Sequence, residues 1–253
     1  MKPTKTKMRP TLPVDSERIL KYRSIYQKPR QLEEIWSWYV LRRISIYVTL
    51  MLRRIGVTPN AVSWMSLLFF MLTGWLILTA EPWGFLLAVL AYNLGYLCDC
   101  VDGELARITK VTSRKGVFLD TLIRGMSIPK LVAFALAYYE LSGIGELSFT
   151  AASGIYFSVL IASFALLVPL SYNYIDRKSD ENDPVSDMRT SSKGYEWIAF
   201  FTGMPGFFAC LPLCVLMDAV TGWSVTAGFI FLFLVFWTVK TLVRLYLTTA
   251  KLN

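Results

Sequence analysis

Apolar residues along this chain gather in six long blocks, at about residues 62–80, 83–101, 117–140, 151–174, 195–218 and 222–248. Each approaches the ~20 residues that a helix needs to cross the hydrocarbon of a bilayer. The second keeps its helical pattern to about residue 108. The predicted fold is all-α, a polytopic membrane protein with six transmembrane helices. Pro129, Pro169, Pro205 and Pro212 fall inside the blocks, where membrane helices tolerate proline better than soluble ones do. Ahead of the blocks, residues 33–57 read as a helix and its break. Trp36, Tyr39, Val40, Ile44, Tyr47, Val48 and Met51 share an apolar side, and Arg42, Arg43, Arg53 and Arg54 supply cationic positions. That pattern predicts a cytoplasmic amphipathic interfacial helix. Gly56 breaks it, and Thr58 with Pro59 behind it is placed to cap the next helix. Three regions result: a basic polar N-terminal extension (1–32), the amphipathic helix (33–57) and a six-helix membrane domain (58–253). The extension lacks the apolar core of a signal peptide. The polar stretch 175–194 predicts a cytoplasmic connection.

Charge orients these spans. The chain carries 26 Lys and Arg against 18 Asp and Glu, a net +8. Thirteen of the cations precede residue 55, and the short segments 81–82, 141–150 and 219–221 contain none. By the positive-inside rule both termini are expected in the cytoplasm. The excess cation suits anionic membrane lipids; it follows the topology and forms no compact basic domain, so nucleic acid is not expected as a partner. With a hydrophobic fraction of 55% and a mean hydropathy of +0.46, the chain reads as a membrane protein. There is no histidine, which excludes a Ser–His–Asp triad and histidine-ligated zinc. The four cysteines lack C-x-x-C spacing and read as packing residues.

One stretch breaks the apolar rule: Asp99-x-x-Asp102-Gly103-x-x-Ala106-Arg107, eight residues, then Gly116-x-x-x-Asp120-x-x-x-Arg124. An aspartate at the centre of a membrane helix costs about 2.5–3.5 kcal/mol, and several together call for a cation. At about 100° per residue, Asp99, Asp102, Gly103, Ala106 and Arg107 share one helix face, and Gly116, Asp120 and Arg124 share another. Cys98 and Cys100 point elsewhere. Two helices facing each other across these stripes would bring three carboxylates together at the cytoplasmic boundary.

This run resembles the signature of the CDP-alcohol phosphotransferase family, six-helix membrane enzymes that transfer a phospho-group from a CDP-linked donor to an alcohol acceptor and release CMP. The donor is often CDP-diacylglycerol. The resemblance extends over roughly residues 38–248 and includes Thr58-Pro59-Asn60-Ala61-Val62-Ser63 at the entry to the first span. It implies that Asp99, Asp102 and Asp120 hold Mg²⁺ or Mn²⁺. It also implies that Gly103 and Arg107 meet the CDP moiety and that Ala106 keeps the helix surface open. Asn60, Ala61, Val62, Ser63, Ser113 and Gly116 would complete the nucleotide pocket. Arg114, Lys115, Lys130, Arg177 and Arg189 are candidates to meet a phosphate on the acceptor, and homodimers are common in the family.

The chain departs from the signature at one place. The family's last Asp, its proton acceptor and an aid to a second metal, is replaced by Arg124. A guanidinium neither accepts a proton at ordinary pH nor ligates a cation. Three readings of Arg124 follow: an active transferase with rearranged machinery, a non-catalytic CDP-binding relative, and an introduced change that blocks chemistry in an otherwise ordinary enzyme. A separate class is an ion-coupled transporter, since intramembrane Asp residues also mark ion pathways.

Overall fold

The computed structural model describes residues 10–111, 113–175 and 193–252. Every regular element among these residues is helical. In chain order they are α1 (Glu17–Tyr26), a 3₁₀ turn (Arg30–Leu32), a π-helical turn (Ser37–Leu41) and α2 (Arg42–Arg54). Then follow α3 (Pro59–Ile77), α4 (Pro82–Thr109), α5 (Arg114–Gly125), α6 (Ser127–Leu141) and α7 (Phe149–Ile175). The last three are α8 (Lys193–Phe201), α9 (Met204–Thr221) and α10 (Val225–Leu252). Most of the 175–194 connection, with Arg177 and Arg189, lies outside the described residues.

Five of these helices are long and apolar enough to cross a membrane: Pro59–Ile77, Pro82–Thr109, Phe149–Ser171, Met204–Thr221 and Val225–Val243. The expected span at 117–140 is instead divided at Met126 into α5 and α6, of 12 and 15 residues. Pro129 lies in the first turn of α6, where its missing N–H costs nothing because that donor has no intrahelical acceptor. The expected span at 195–218 is also divided. Gly203 caps α9, with Pro205 in its first turn, so the membrane-length helix starts later, at Met204.

Local chemistry sets the helix ends. The Ala61 N–H donates to Thr58 Oγ1 at 3.3 Å, with Pro59 at the first helical position, so the cap and start expected at α3 are both present. Gly56 adopts φ +76° just after α2, a left-handed conformation that costs glycine little. α4 has 28 residues, about 42 Å at 1.5 Å per residue. That exceeds a hydrocarbon layer of roughly 30 Å, and the acidic motif lies in its C-terminal turns.

α3 runs mainly along α4, and α5 packs on α3 and α7. The approach of α3 to α7 depends on Gly74. A Cβ there would come within 2.5–2.8 Å of the Tyr156 ring and hydroxyl, and that hydroxyl donates to the Met71 carbonyl at 2.7 Å. Deeper in the bundle, Tyr92 stacks on Phe208 with centroids 4.0 Å apart, and Phe134 meets Phe207 at 4.3 Å. These contacts tie α4, α6 and α9 into one apolar core. Lys130, a candidate to meet an acceptor phosphate, is instead buried inside this core. Its ammonium lies 4.2 Å from the Phe70 ring centroid and 5.2 Å from that of Tyr92, a cation–π setting.

Of the four cationic positions expected on the polar side of α2, Arg53 and Arg54 are exposed and Arg43 is half-buried, but Arg42 is buried. Tyr39, Ile44 and Met51 are exposed, whereas Arg42, Ser45, Ile46 and Thr49 are buried, because this side packs on α4. Arg42 is therefore an interior residue and not a surface cation.

Candidate active site

The C-terminal turns of α4 carry the motif. Asp102 Oδ2 accepts from Ser63 Oγ at 2.6 Å, which joins α4 to the first turns of α3. Val62, beside Ser63, is fully buried against Val101 and Leu105, so it packs the helix pair. Ala61 faces outward. Ser113 caps α5, its Oγ accepting from the Gly116 N–H at 3.0 Å and donating to Asn60 Oδ1 at 3.0 Å. α3 thus holds both motif helices, with Ser63 tying it to α4 and Asn60 to the start of α5. A Cβ at Gly116 would lie 3.6 Å from Asn60 Oδ1, in ordinary contact. The Arg107 guanidinium lies over Gly103, with Nη1 3.4 Å from where a Cβ at that glycine would stand. Ala106 is half-buried on the same face.

The three aspartates are neighbours but not a formed cage. Asp99 and Asp102 each feel the charge of Asp120, and Asp102 also that of Asp99. Arg124 Nη2 pairs with Asp120 Oδ2 at 3.0 Å, one helical turn apart and substantially exposed. Among the described residues, no three Asp, Glu or Cys side chains are grouped closely enough to hold a metal ion. The chemistry of the donor set nevertheless suits a hard cation: carboxylate oxygens favour Mg²⁺ or Mn²⁺ over zinc.

Behind this face lies a buried polar network that helix periodicity did not reveal. Glu104, on the opposite side of α4, is fully buried. Its Oε1 accepts from Arg42 Nη1 at 2.8 Å, Ser45 Oγ at 2.5 Å and Gln27 Nε2 at 3.0 Å. Its Oε2 accepts from Thr49 Oγ1 at 2.8 Å. Arg42 also donates to Glu33 Oε1 at 2.7 Å and to the Cys100 carbonyl at 3.0 Å. Burial alone disfavours the charge on Arg42, but Cys100, Glu33 and Glu104 more than offset this and hold the guanidinium firmly protonated. Arg23, fully buried in α1, donates to the carbonyls of Arg42 and Arg43 at 2.7 Å each and pairs with Asp15 at 2.8 Å. The signal available in the sequence was Glu104 itself, an acid about 200° around α4 from Asp102 that needed a partner of its own.

The described residues thus define an all-helical bundle with five membrane-length helices and a carboxylate-rich surface at one end of α4. The chain belongs to the CDP-alcohol phosphatidyltransferase family, whose family model matches residues 56–249. The family comprises membrane transferases of phospholipid synthesis that act on CDP-alcohols, generally with a divalent metal. No curated protein and no solved structure matches the chain.

Proposed function

We propose that this protein is a metal-dependent transferase that moves a phosphatidyl group from CDP-diacylglycerol to an alcohol acceptor and releases CMP. The observation that carries the reading is the junction at the start of α3, where Ser63 Oγ holds Asp102 at 2.6 Å and Asn60 ties α3 to the start of α5, inside the family-matched region that also contains Asp99 and Asp120. The distribution of Lys and Arg supports a cytoplasmic site and cytoplasmic termini. The exposed Tyr39 of the π-helical turn and Ile44 and Met51 of α2 would then rest against the membrane interface.

Asp99, Asp102 and Asp120 would hold Mg²⁺ or Mn²⁺, which when bound supplies positive charge against the donor's pyrophosphate. Ser63 fixes the Asp102 carboxylate in position. Arg107, resting on Gly103, has a fork geometry that suits a phosphate. The acceptor hydroxyl attacks the phosphorus beside the oxygen that bridges to CMP. A new P–O bond forms, the bridging P–O bond breaks, and CMP leaves with that electron pair. The acceptor's proton passes to Asp120, the most exposed of the three carboxylates. To serve in this way Asp120 must first be drawn from Arg124, whose guanidinium then turns to the phosphate.

The Arg124–Asp120 pair also favours a second reading, a relative that binds CDP donors without turning them over. The test is CMP release by the purified protein with Mg²⁺ or Mn²⁺, CDP-diacylglycerol and a panel of alcohols. Release that requires donor, acceptor and metal together is the expected result. Metal-dependent donor binding without release selects the second reading, and neither activity refutes both. Asp102→Asn should abolish metal-dependent donor binding. Arg124→Asp should raise CMP release if a fourth carboxylate is the missing part; a fall would show that Arg124 has a role of its own.

A further inference from the structure

The short helix α8 presents an apolar side to its surroundings. Tyr195, Trp197, Ile198 and Phe201 are exposed, while Glu196, Ala199 and Phe200 are half-buried. At about 100° per residue the four exposed side chains fall within one arc of the helix, and the other three occupy the opposite side. The Trp197 ring stacks on Phe201 and meets Phe200 edge-on, with centroids 6.0 Å apart in both pairs. The inward side is tied to the N-terminal segment, because Glu196 pairs with Arg30. Arg30 in turn lies over the Trp38 and Tyr39 rings, 5.7 and 5.6 Å from their centroids. It follows closely on Tyr26 and Gln27, whose partners are Arg107 and Glu104. α8 therefore sits at the same end of the bundle as the acidic motif.

A sharp corner separates α8 from α9. In one uninterrupted helix, residues six apart stand about 9 Å from each other along the axis. Here a Cβ at Gly206 would lie 2.1 Å from the Phe200 carbonyl oxygen and 3.0 Å from the Phe201 Cα, so the end of α8 folds back on the first turn of α9. A Cβ at Gly203 would likewise lie 2.8 Å from the Ala199 carbonyl oxygen. Glycine at both positions lets the two backbones approach. Length then decides what each helix can do. The 18 residues of α9 cover about 27 Å, close to a hydrocarbon layer of roughly 30 Å. The nine residues of α8 cover only about 14 Å, too little to cross, and the corner leaves them where the crossing begins.

We propose that α8 is an interfacial anchor, whose Tyr195, Trp197, Ile198 and Phe201 rest in the boundary between lipid headgroups and acyl chains while Glu196 holds the N-terminal segment beside it. The occupant of this face is lipid. Tyr and Trp join an apolar ring to a polar O–H or N–H, which suits a zone that is apolar on one side and wet on the other. The four residues carry no charge, so their affinity is for the boundary itself and needs no anionic headgroup. The anchor rests on the membrane length of α9 and not on the transferase reading.

The test uses the full chain in phosphatidylcholine nanodiscs that carry a photoactivatable lipid, with labelled residues mapped by mass spectrometry. One probe bears its diazirine near the glycerol end of the acyl chain, the other at the chain's terminus. The shallow probe should label Trp197, Ile198 and Phe201 several-fold more than the deep one. Leu213, exposed in the middle of α9, should show the reverse preference. Trp197→Glu/Ile198→Glu should cut shallow labelling at Phe201 several-fold and raise its oxidation by aqueous hydroxyl radicals, with Leu213 labelled as in the parent. If Leu213 labelling is lost as well, the variant has disturbed the bundle and the pattern in the parent decides. Three results in the parent overturn the anchor. Deep labelling of α8 in excess of shallow would make it a continuation of α9 into the hydrocarbon. Aqueous oxidation without lipid labelling would place the face in water. Protection from both, with cross-links to a second copy of the chain, would make it a protein interface.

Discussion

Replacing Glu104 by leucine removes the acceptor on which Arg42, Ser45, Gln27 and Thr49 converge. The neutral donors have other outlets. Gln27 keeps its bond to the Arg42 carbonyl at 2.8 Å, and the Ser45 and Thr49 hydroxyls can turn to carbonyls of their own helix. The cost therefore falls on Arg42, a buried guanidinium left with one carboxylate where it had two. Removing one partner of a buried pair typically costs about 3–5 kcal/mol, and the surviving Glu33 contact at 2.7 Å places Glu104→Leu near ~3 kcal/mol on that range. Arg42→Met takes the counter-charge from both buried carboxylates, Glu33 and Glu104, and should cost more, about 5 kcal/mol. The double variant removes both members of the buried Arg42–Glu104 pair, so neither is left without the other and its loss should fall at least ~1 kcal/mol short of the sum. Thermal unfolding of the full chain in detergent, followed by tryptophan fluorescence, ranks the three. Protease cleavage between residues 10 and 41 then reports whether the N-terminal segment has come away from α4. If Arg42→Met is no worse than Glu104→Leu, or the double loss equals the sum, the network does not hold these elements together as argued.

Further outcomes follow from the same geometry. Gly74→Ala forces a methyl against the buried Tyr156 ring. The overpacking cost of about 1–3 kcal/mol should outweigh the ~1 kcal/mol that alanine gains over glycine in a helix, and Gly74→Ala/Tyr156→Leu should recover part of the loss in thermal unfolding. Ser63→Ala removes the hydroxyl that orients Asp102 and should weaken Mn²⁺-dependent CDP binding by roughly 10-fold, with little change in unfolding temperature. Burial pushes the Asp15 carboxyl up, but hydrogen bonds from Arg23, Tyr47 and the Leu12 N–H outweigh it and hold the group below its ordinary 3.8. A carboxyl depressed in the folded state stabilises it above the unfolded pKa and loses that effect as pH falls through the folded value. Docking of α1 should therefore be intact at neutral pH and weaken only below about pH 4. Asp15→Asn should make the segment as protease-sensitive at pH 7 as the parent becomes in acid.

The sequence by itself determined the helical class, the boundaries of most long helices and the face of α4 that carries Asp99 and Asp102. Those follow from periodicity and capping, which act between residues three or four apart. Thr58 caps α3 as its side chain requires, and Asp99, Asp102, Gly103, Ala106 and Arg107 lie on one stripe because 3.6 residues complete a turn. Tertiary structure decided the rest. It divided the third apolar block at Met126, put α5 on α3 and α7, and turned Arg42 inward to meet Glu33 and Glu104. It also brought Tyr26 and Gln27 to the motif helix, contacts that join residues 81 and 77 positions apart. Helical periodicity carries no information over such separations. Whether a cation faces solvent or a buried carboxylate depends on which element arrives opposite it, and only the packed chain settles that.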